Sequence, residues 1–164
     1  MTPNPDWLPA LIRLPEFDND WERYIKVVYD AYRQDWLTKR PDFLGKRMGL
    51  KRQPERFGWD ATFWHLTQEG SAEESRTPDL RRCERIRWPR ALVEAVCGSE
   101  VRHWENTRRG GHNHLLALED FSYVFIIRDH GEYVLPWTAY CVEHANARDA
   151  LRREFSAFRP ARGP

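Results

Sequence analysis

The sequence predicts an α+β domain in which one small antiparallel β-sheet of about four to five strands packs on helices. Three observations lead to this class. Apolar residues near the N-terminus follow helical spacing, those from residue 99 onward alternate with a period of two, and the C-terminal stretch is helical again. We expect residues 1–164 to form a single domain, because that length suffices for one substantial core.

The first element is a helix predicted over residues 18–37, after a proline-rich segment at residues 1–17 that we expect to be irregular. Asp18 to Asp20 can cap this helix. Its apolar positions at helical spacing are Trp21, Tyr24, Ile25, Val28, Tyr32 and Trp36. The basic stretch "GKRMG" is a link or a short strand. A strand is then predicted over roughly residues 60–68, in the apolar run "ATFWHLT" that contains His65.

A polar loop at residues 69–77 separates this strand from the next helix. Thr77-Pro78-Asp79 is a typical helix start, with Thr77 as a possible N-cap and a proline in the first turn. Pro89 either interrupts that helix or begins a second one that ends at Gly98.

Four strands with short connections follow and predict an antiparallel meander. They are expected at residues 100–107, 113–119, 122–129 and 132–142. Pro136 in the last strand implies a sheet edge or a bulge, because proline cannot donate a ladder hydrogen bond. The stretch "HANARDALRREFSAF" predicts a closing helix, and residues 159–164 are expected to be irregular.

Charge and cysteine content limit the class of protein. The net charge is only +1, so any anion binding must come from local clustering of charge. Three cysteines without a C-x-x-C pair fit free thiols in a reducing compartment. The N-terminus lacks the basic region of a signal peptide, and no apolar run approaches the ~20 residues of a membrane span. We therefore expect a cytoplasmic protein that does not contact a membrane.

The strongest local charge is an arginine cluster between residues 76 and 90. Arginine forks match the geometry of phosphate and stay charged at any relevant pH. Arg81, Arg82 and Arg85 have the spacing that lets helical side chains project to one side. The cluster is Arg76, Arg81, Arg82, Arg85, Arg87 and Arg90, opposed only by Asp79 and Glu84. The alternative is a solvated helix face on which Glu84 pairs with Arg81 or Arg87.

His65 and two hydroxyls of the last strand complete the candidate site. Histidine has an ordinary pKa near neutrality and can transfer protons at pH 7, although a lone histidine on a strand is more often a packed or surface residue. Thr138 and Tyr140 lie two residues apart and hence on one face, with Trp137, Ala139 and Cys141 on the other. Hydroxyls beside a basic site can bind phosphate oxygens or move a proton, yet an ordinary amphipathic strand has the same alternation.

A metal site is the competing chemistry. His112-x-His114 and Cys141-x-x-His144 can supply four ligands if the strands bring them together, but neither has the spacing of a zinc finger or of H-E-x-x-H. We therefore expect neither a metal nor a cofactor. Motifs of serine hydrolases, P-loop proteins and dinucleotide-binding proteins are absent from the sequence.

Four stretches together resemble a known group of proteins: "FWHLTQEG", "PDLRRCERIRW", "HWENTR" and "YVFIIRDHGEYVLPWTAY". Over about residues 46–155 the chain is similar to the barnase/EndoU/colicin/RelE-like ribonucleases, particularly the branch carried by phages and other mobile elements. The most specific pieces are "FWHL", "PDLRRCERI" and "WTAY", the last of which resembles the final-strand signature of that superfamily.

The resemblance implies a metal-independent endoribonuclease, toxin-like or a phage or mobile-element effector. Such enzymes use the ribose 2′-hydroxyl as nucleophile and leave a cyclic phosphate. By position, His65 matches the acid or base of the family. Arg82 and Arg85 match its phosphate-holding residues, and Thr138 and Tyr140 match its last-strand hydroxyls.

The expected partners are RNA, either tRNA or mRNA, and an antitoxin or immunity protein. Arginines near the site are expected to contact the substrate, and exposed aromatics such as Trp88 or Trp104 to stack on unpaired bases. The substrate-binding candidates are Arg76, Arg81, Arg87, Trp104 and Arg109. The alternative is a non-enzymatic module of a mobile element that binds nucleic acid or protein through the same arginines.

Overall fold

The computed structural model describes residues 4–69 and 77–158 of the chain. It confirms the α+β class: five α-helices pack with a curled sheet. The sheet has six strands rather than the four to five predicted, because a short hairpin near the N-terminus adds two strands to the meander.

The first helix, α1, spans Trp21–Arg33 and continues into a π-helical turn at Gln34–Thr38. Asp20 caps it as predicted, since its carboxylate accepts a hydrogen bond from the backbone N–H of Arg23 at 3.2 Å. Before this helix, Leu14–Phe17 forms a 3-10 helix, so the segment expected to be irregular contains one regular turn.

The predicted strand over residues 60–68 is wrong, because Ala61–Thr67 forms a helix, α2. Asp60 is its N-cap and accepts a hydrogen bond from Phe63 N at 2.9 Å. All seven helical residues are buried. A helix without a solvent face has no polar stripe to mark the 3.6-residue period, and its aromatic and β-branched residues favour a strand by composition.

The polar loop is flanked by a two-stranded ribbon in which β3 (Gln68–Glu69) pairs antiparallel with β4 (Thr77–Pro78). The predicted cap at Thr77 is therefore wrong, because its backbone belongs to the ribbon. Asp79 caps α3 (Leu80–Glu84) instead and accepts from the backbone N–H groups of Arg81 and Arg82.

A separate helix, α4 (Trp88–Glu94), follows with Pro89 in its first turn, which decides between the two interpretations of that proline. The last helix, α5, spans Ala145–Ala157 as expected. Among the described residues, no helix is both long and apolar enough to cross a membrane.

The predicted meander is confirmed and forms the larger part of the sheet. The hairpin β1–β2 extends it through a parallel pairing of β2 with β8, in the order β1-β2-β8-β7-β6-β5. The strands are β1 (Asp42–Phe43), β2 (Lys46–Met48), β5 (Val101–Arg108), β6 (Gly111–Leu118), β7 (Tyr123–Asp129) and β8 (Tyr133–Cys141).

The meander has two faces with different coverings. Its inner face packs on α1 to α4 around the main core, to which it contributes Leu116, Phe125 and Ala139. Its outer face packs on α5 through a smaller cluster that includes Trp104 and Leu115. The helix α5 covers the outer face on the β5 side, where Val124 of β7 is also buried, whereas Ile126, Arg128, Thr138 and Tyr140 on the same face are only half-buried.

A β-bulge shapes the middle of β8. Ile126 pairs with Thr138 whereas Ile127 pairs with Pro136, so Trp137 is the extra residue. Of the two alternatives expected for Pro136, a sheet edge or a bulge, the structure has a bulge, at the residue next to it. The bulge changes the face on which Trp137 lies. The sequence predicted Trp137 on the face opposite Thr138 and Tyr140, but its ring lies against Arg128 on the outer face.

Candidate functional site

Arg82 joins the arginine cluster to the last strand. Its Nη1 donates to Thr138 Oγ1 at 3.2 Å, and its guanidinium carbon lies 5.8 Å from the centre of the Tyr140 ring. The same Nη1 donates to the backbone oxygen of Gln68 at 2.6 Å. The structure thus brings together three of the predicted site residues from two elements far apart in sequence.

Arg82 is also held by a carboxylate. Its Nε lies 3.5 Å from Asp79 Oδ2, and the arginine side chain is only 12% exposed. Since Asp79 caps α3 with its other oxygen, one aspartate both starts the helix and orients the guanidinium. Arg82 is therefore fixed in direction before any ligand arrives.

Tyr140 carries a neutral phenol at neutral pH. Burial raises its pKa, while the positive charges of Arg82 and Arg108 lower it and the negative charge of Glu154 raises it. A neutral phenol next to guanidinium groups can donate a hydrogen bond or a proton to an anionic ligand.

His65 lies at the C-terminal end of α2, next to the same group. Its backbone oxygen lies 3.5 Å from Arg82 Nη1, and its ring centre lies 6.1 Å from that of Trp137. The histidine is 8% exposed, so it is a buried residue at the margin of the site rather than a residue on an open strand.

Arg128 is a site residue that the sequence reasoning missed. Its guanidinium lies 4.3 Å from the centre of the Trp137 ring, and its Nε donates to Asn113 Oδ1 at 2.7 Å. It also covers Gly111, where an added Cβ would collide with it. Arg128 was detectable from its place one residue beyond the apolar run "YVFII", although its face depends on the strand register.

We call the group Arg82, Arg128, Trp137, Thr138 and Tyr140 the arginine–hydroxyl surface. A second group that the sequence analysis did not predict, centred on Glu154, lies next to this surface on the outer face. Glu154 of α5 accepts hydrogen bonds from Trp104 Nε1 at 3.1 Å, Asn106 Nδ2 at 2.6 Å and Arg108 Nη2 at 2.8 Å. Burial alone would raise the pKa of Glu154, but these hydrogen bonds lower it, so the group is a carboxylate at neutral pH.

Arg85 lies apart from the arginine–hydroxyl surface. Its guanidinium stacks over the Trp88 ring at 5.0 Å, and one nitrogen lies 3.6 Å from Glu84. With Arg81, which forms an ion pair with Glu143, it lines a separate open cavity of about 880 Å³ that Tyr123 and Cys141 also line. In this cavity Arg81 and Arg85 already have carboxylate neighbours, Glu143 and Glu84 respectively.

The remaining arginines of the cluster stabilise helix contacts. Arg87 Nη2 donates to Gln34 Oε1 at 3.2 Å, and Arg90 forms an ion pair with Glu94 at 2.8 Å. Arg76 lies outside the described residues. The five arginines that the structure describes therefore do not form one phosphate-binding patch, because two short helices separated by a turn direct their side chains to different neighbours.

The expectation of exposed tryptophans at the site is wrong for both residues named. Trp104 is 0% exposed and Trp88 is 2% exposed, so neither can stack on a base. Trp104 packs under α5 against Phe155, with ring centres 5.7 Å apart. Arg109 is exposed in the turn between β5 and β6. Trp137 is the half-buried tryptophan next to the predicted residues.

The four-ligand metal set that the sequence analysis weighed as an alternative does not assemble. His112 pairs with Asp129 at one end of β7, whereas Cys141 pairs with Tyr123 at the other end. Tyr123 and Asp129 are six residue steps apart along β7, which is about 20 Å in an extended strand.

Comparisons with models of protein families, with curated proteins and with solved structures find no match to this chain. The resemblance to the barnase/EndoU/colicin/RelE-like ribonucleases therefore stays a prediction. Any functional assignment depends on the chemistry of the residues at the arginine–hydroxyl surface.

Proposed function

We propose that this protein is a metal-independent endoribonuclease that binds RNA at the arginine–hydroxyl surface. The observation that supports this proposal most is the contact of Arg82 with Thr138 and Tyr140. It combines a fixed positive charge, a hydroxyl and a neutral phenol within one group of contacting side chains. An RNA strand supplies its own nucleophile, so a ribonuclease needs only proton transfer and charge stabilisation at the scissile phosphate.

Arg82 and Arg128 take the electrostatic role in this proposal. Negative charge grows on the phosphate oxygens as the 2′-hydroxyl attacks, and donors whose direction is already fixed stabilise that charge without reorganisation. Arg82 is fixed by Asp79 and Gln68, and Arg128 by Asn113 and the Trp137 ring.

Tyr140 and His65 take the proton-transfer role. Burial keeps Tyr140 a neutral phenol, which can protonate the departing 5′-oxygen. His65, next to Trp137, accepts the proton of the 2′-hydroxyl. Trp137 offers a half-buried ring face on which an unpaired base can stack.

Cleavage of a mixed tRNA and mRNA pool in the presence of EDTA tests the proposal. Tyr140→Phe keeps the ring over Arg82 but removes the proton, and we expect cleavage to fall by about 10²-fold or more. Tyr133→Phe is the matched control on the same strand, because that ring stacks on His130. Equal activity of Tyr140→Phe and wild type would remove the phenol from the mechanism, and loss of activity with EDTA would indicate a metal enzyme.

His65→Ala tests the second proton-transfer role in the same assay. Because His65 is buried, its variant is compared with wild type only after circular dichroism confirms the same fold. Equal activity of the two proteins would exclude His65 from the mechanism and leave Tyr140 and the arginines as its participants.

A second candidate function is a binding module without catalysis, and the engagement of Arg82 favours it. One nitrogen of this arginine already serves Gln68 and Thr138, and His65 is largely buried, as in a structural hydrogen-bond network. A module would bind RNA with an affinity that falls steeply with salt and leave the RNA intact. Electrophoresis of RNA recovered from the complex separates the two functions.

A further inference from the structure

The inner face of the meander carries a cluster of histidines and carboxylates that the proposed function does not use. Strand pairing explains why they meet. Glu105 of β5 lies directly opposite His114 of β6, and His112 lies opposite Asp129 of β7. Their register positions share a face with Leu116 and Ile127, so the cluster lies on the side of the sheet away from the arginine–hydroxyl surface.

Three of these residues offer metal-ligand atoms to a common point. Glu105, His112 and His114 each have one donor atom, and the three atoms lie within 4.8 Å of one another. His112 Nε2 is already 2.6 Å from Glu105 Oε1. Ligand atoms around a tetrahedral metal with bonds of ~2.0–2.1 Å lie roughly 3.3 Å apart, so small side-chain rotations would complete the site.

His114 is oriented in the manner of a metal ligand. Its Nε2 lies 2.8 Å from Asp129 Oδ2, and the Asp129 carboxylate is itself held by hydrogen bonds from Lys46 Nζ and Gly131 N, each at 2.8 Å. The carboxylate therefore holds the proton on Nε2 and leaves the lone pair on Nδ1. A carboxylate bonded to the far nitrogen of a ligating histidine is the usual partner of a protein metal site.

The Nδ1 atom of His114 faces β5, the strand that carries Glu105. This atom lies 3.0 Å from Nε2 of His103, which is on β5 two residues before Glu105. His103 therefore contacts His114, while the donor atoms that converge are those of Glu105, His112 and His114.

We propose that Glu105, His112 and His114 bind one divalent transition-metal ion, with Asp129 orienting His114. Two imidazoles and one carboxylate form a donor set that suits Zn²⁺, and Ni²⁺ or Cu²⁺ bind the same donors. His112 is exposed, so the ion has access from solvent. The ion would link β5 to β6 on the inner face. This proposal is independent of RNA cleavage, because the two groups lie on opposite faces.

Chelator competition on the full chain, purified without a histidine tag, tests the proposal with Zn²⁺ as the probe. We expect one equivalent to bind, and we expect His112→Ala and Glu105→Gln each to weaken binding by at least about 10-fold. Both positions are partly or fully exposed, so the fold is retained. His144→Ala is the matched control, because this exposed histidine lies at the other end of the sheet and belongs to the alternative ligand set.

A second readout uses Co²⁺, whose visible absorption reports tetrahedral nitrogen and oxygen ligands. The proposal expects that absorption in wild type and His144→Ala and its loss in His112→Ala. Wild type that binds no Zn²⁺, or binds it as tightly after His112→Ala and Glu105→Gln, overturns the proposal. RNA cleavage by His112→Ala is expected to equal that of wild type, so failure of the metal site and failure of the proposed function give different results.

Discussion

The two faces of the meander differ in chemistry although they come from the same strands. On β7, Arg128 faces outward to Trp137 while its neighbour Asp129 faces inward to Lys46 and His114. The outer face collects arginines, hydroxyls and an open aromatic ring. The inner face collects imidazoles and carboxylates behind the short hairpin β1–β2. A period-two alternation therefore separates the proposed RNA-binding surface from the proposed metal site by the thickness of one sheet.

The covering elements explain why each face keeps its polar residues. On the outer face, α5 covers only the β5 side and leaves Thr138 and Tyr140 half-buried. On the inner face, Phe43 of the hairpin packs edge-on against His114, with ring centres 5.0 Å apart. Each polar group is therefore next to apolar packing that fixes its position without enclosing it fully.

The largest expected effect is a loss of stability. It distinguishes the part of the outer face that α5 covers from the part that α5 leaves accessible. Trp104→Ala removes a fully buried ring and leaves Glu154 without one of its donors, so we expect the free energy of unfolding to fall by about 3–5 kcal/mol. Trp137→Ala is the comparison, with a smaller loss of stability and weaker RNA binding. Urea denaturation measures the first quantity and fluorescence anisotropy with labelled RNA the second. Equal loss of stability in the two variants would contradict the assignment of Trp104 to the packed core and of Trp137 to the RNA-binding surface.

Arg82 is expected to have the next largest effect, because it joins the arginine cluster to the sheet. Arg82→Ala removes a donor from the buried Gln68 carbonyl and from Thr138 and the ion-pair partner of Asp79, so we expect a loss of about 2–3 kcal/mol in the free energy of unfolding. Arg85→Ala loses a stacking contact with Trp88 and should cost under about 1 kcal/mol. The urea midpoints of Arg82→Ala and Arg85→Ala measure the difference in stability. Similar midpoints would contradict the claim that Arg82 contributes more to stability than Arg85 does.

Asp129 on the inner face is expected to make the stability of the protein depend on pH. Hydrogen bonds from Lys46, His114 and Gly131 N, opposed by burial, hold the pKa of Asp129 well below its ordinary value of 3.8. A carboxyl with a lowered folded-state pKa stabilises the protein above its unfolded pKa and loses that contribution as pH falls. We expect wild type to lose on the order of 2 kcal/mol more than Asp129→Asn between about pH 5 and pH 2. Parallel pH profiles of the two proteins in urea titrations would contradict this.

The smallest expected effect concerns the position of Arg128. Gly111→Ala places a methyl group where the guanidinium now lies, so the arginine must move off the Trp137 ring. We expect stability to change by less than about 1 kcal/mol and RNA affinity to fall a few-fold, by the worth of a cation–π contact. The effect on affinity should disappear in an Arg128→Ala background, and a double-mutant cycle measures that coupling. Additive effects would show that the glycine acts elsewhere.

The meander and α1 could be predicted because their residues alternate between core and solvent. The helix α2 could not, because all of its residues are buried, and the one local signal was Asp60 as an N-cap. The sequence analysis placed Arg82, Thr138 and Tyr140 in one site, and these residues are in contact in the structure. It did not predict that Arg81, Arg85 and Arg87 contact other parts of the chain. Their directions depend on the break between α3 and α4. The metal cluster required the strand register, which brings Glu105 opposite His114 and leaves Cys141 and His144 at the other end of the sheet.

The most direct test of the account is the chemistry of the RNA ends left by the protein. A short RNA is incubated with wild type, its cleavage site is mapped, and the same RNA is made with a 2′-deoxy sugar at that site. We predict 2′,3′-cyclic phosphate ends by mass spectrometry, no cleavage at the deoxy site, and strong loss of cleavage with Tyr140→Phe. Intact RNA under all conditions, or cleavage that persists at the deoxy site, would contradict an enzyme acting through the arginine–hydroxyl surface.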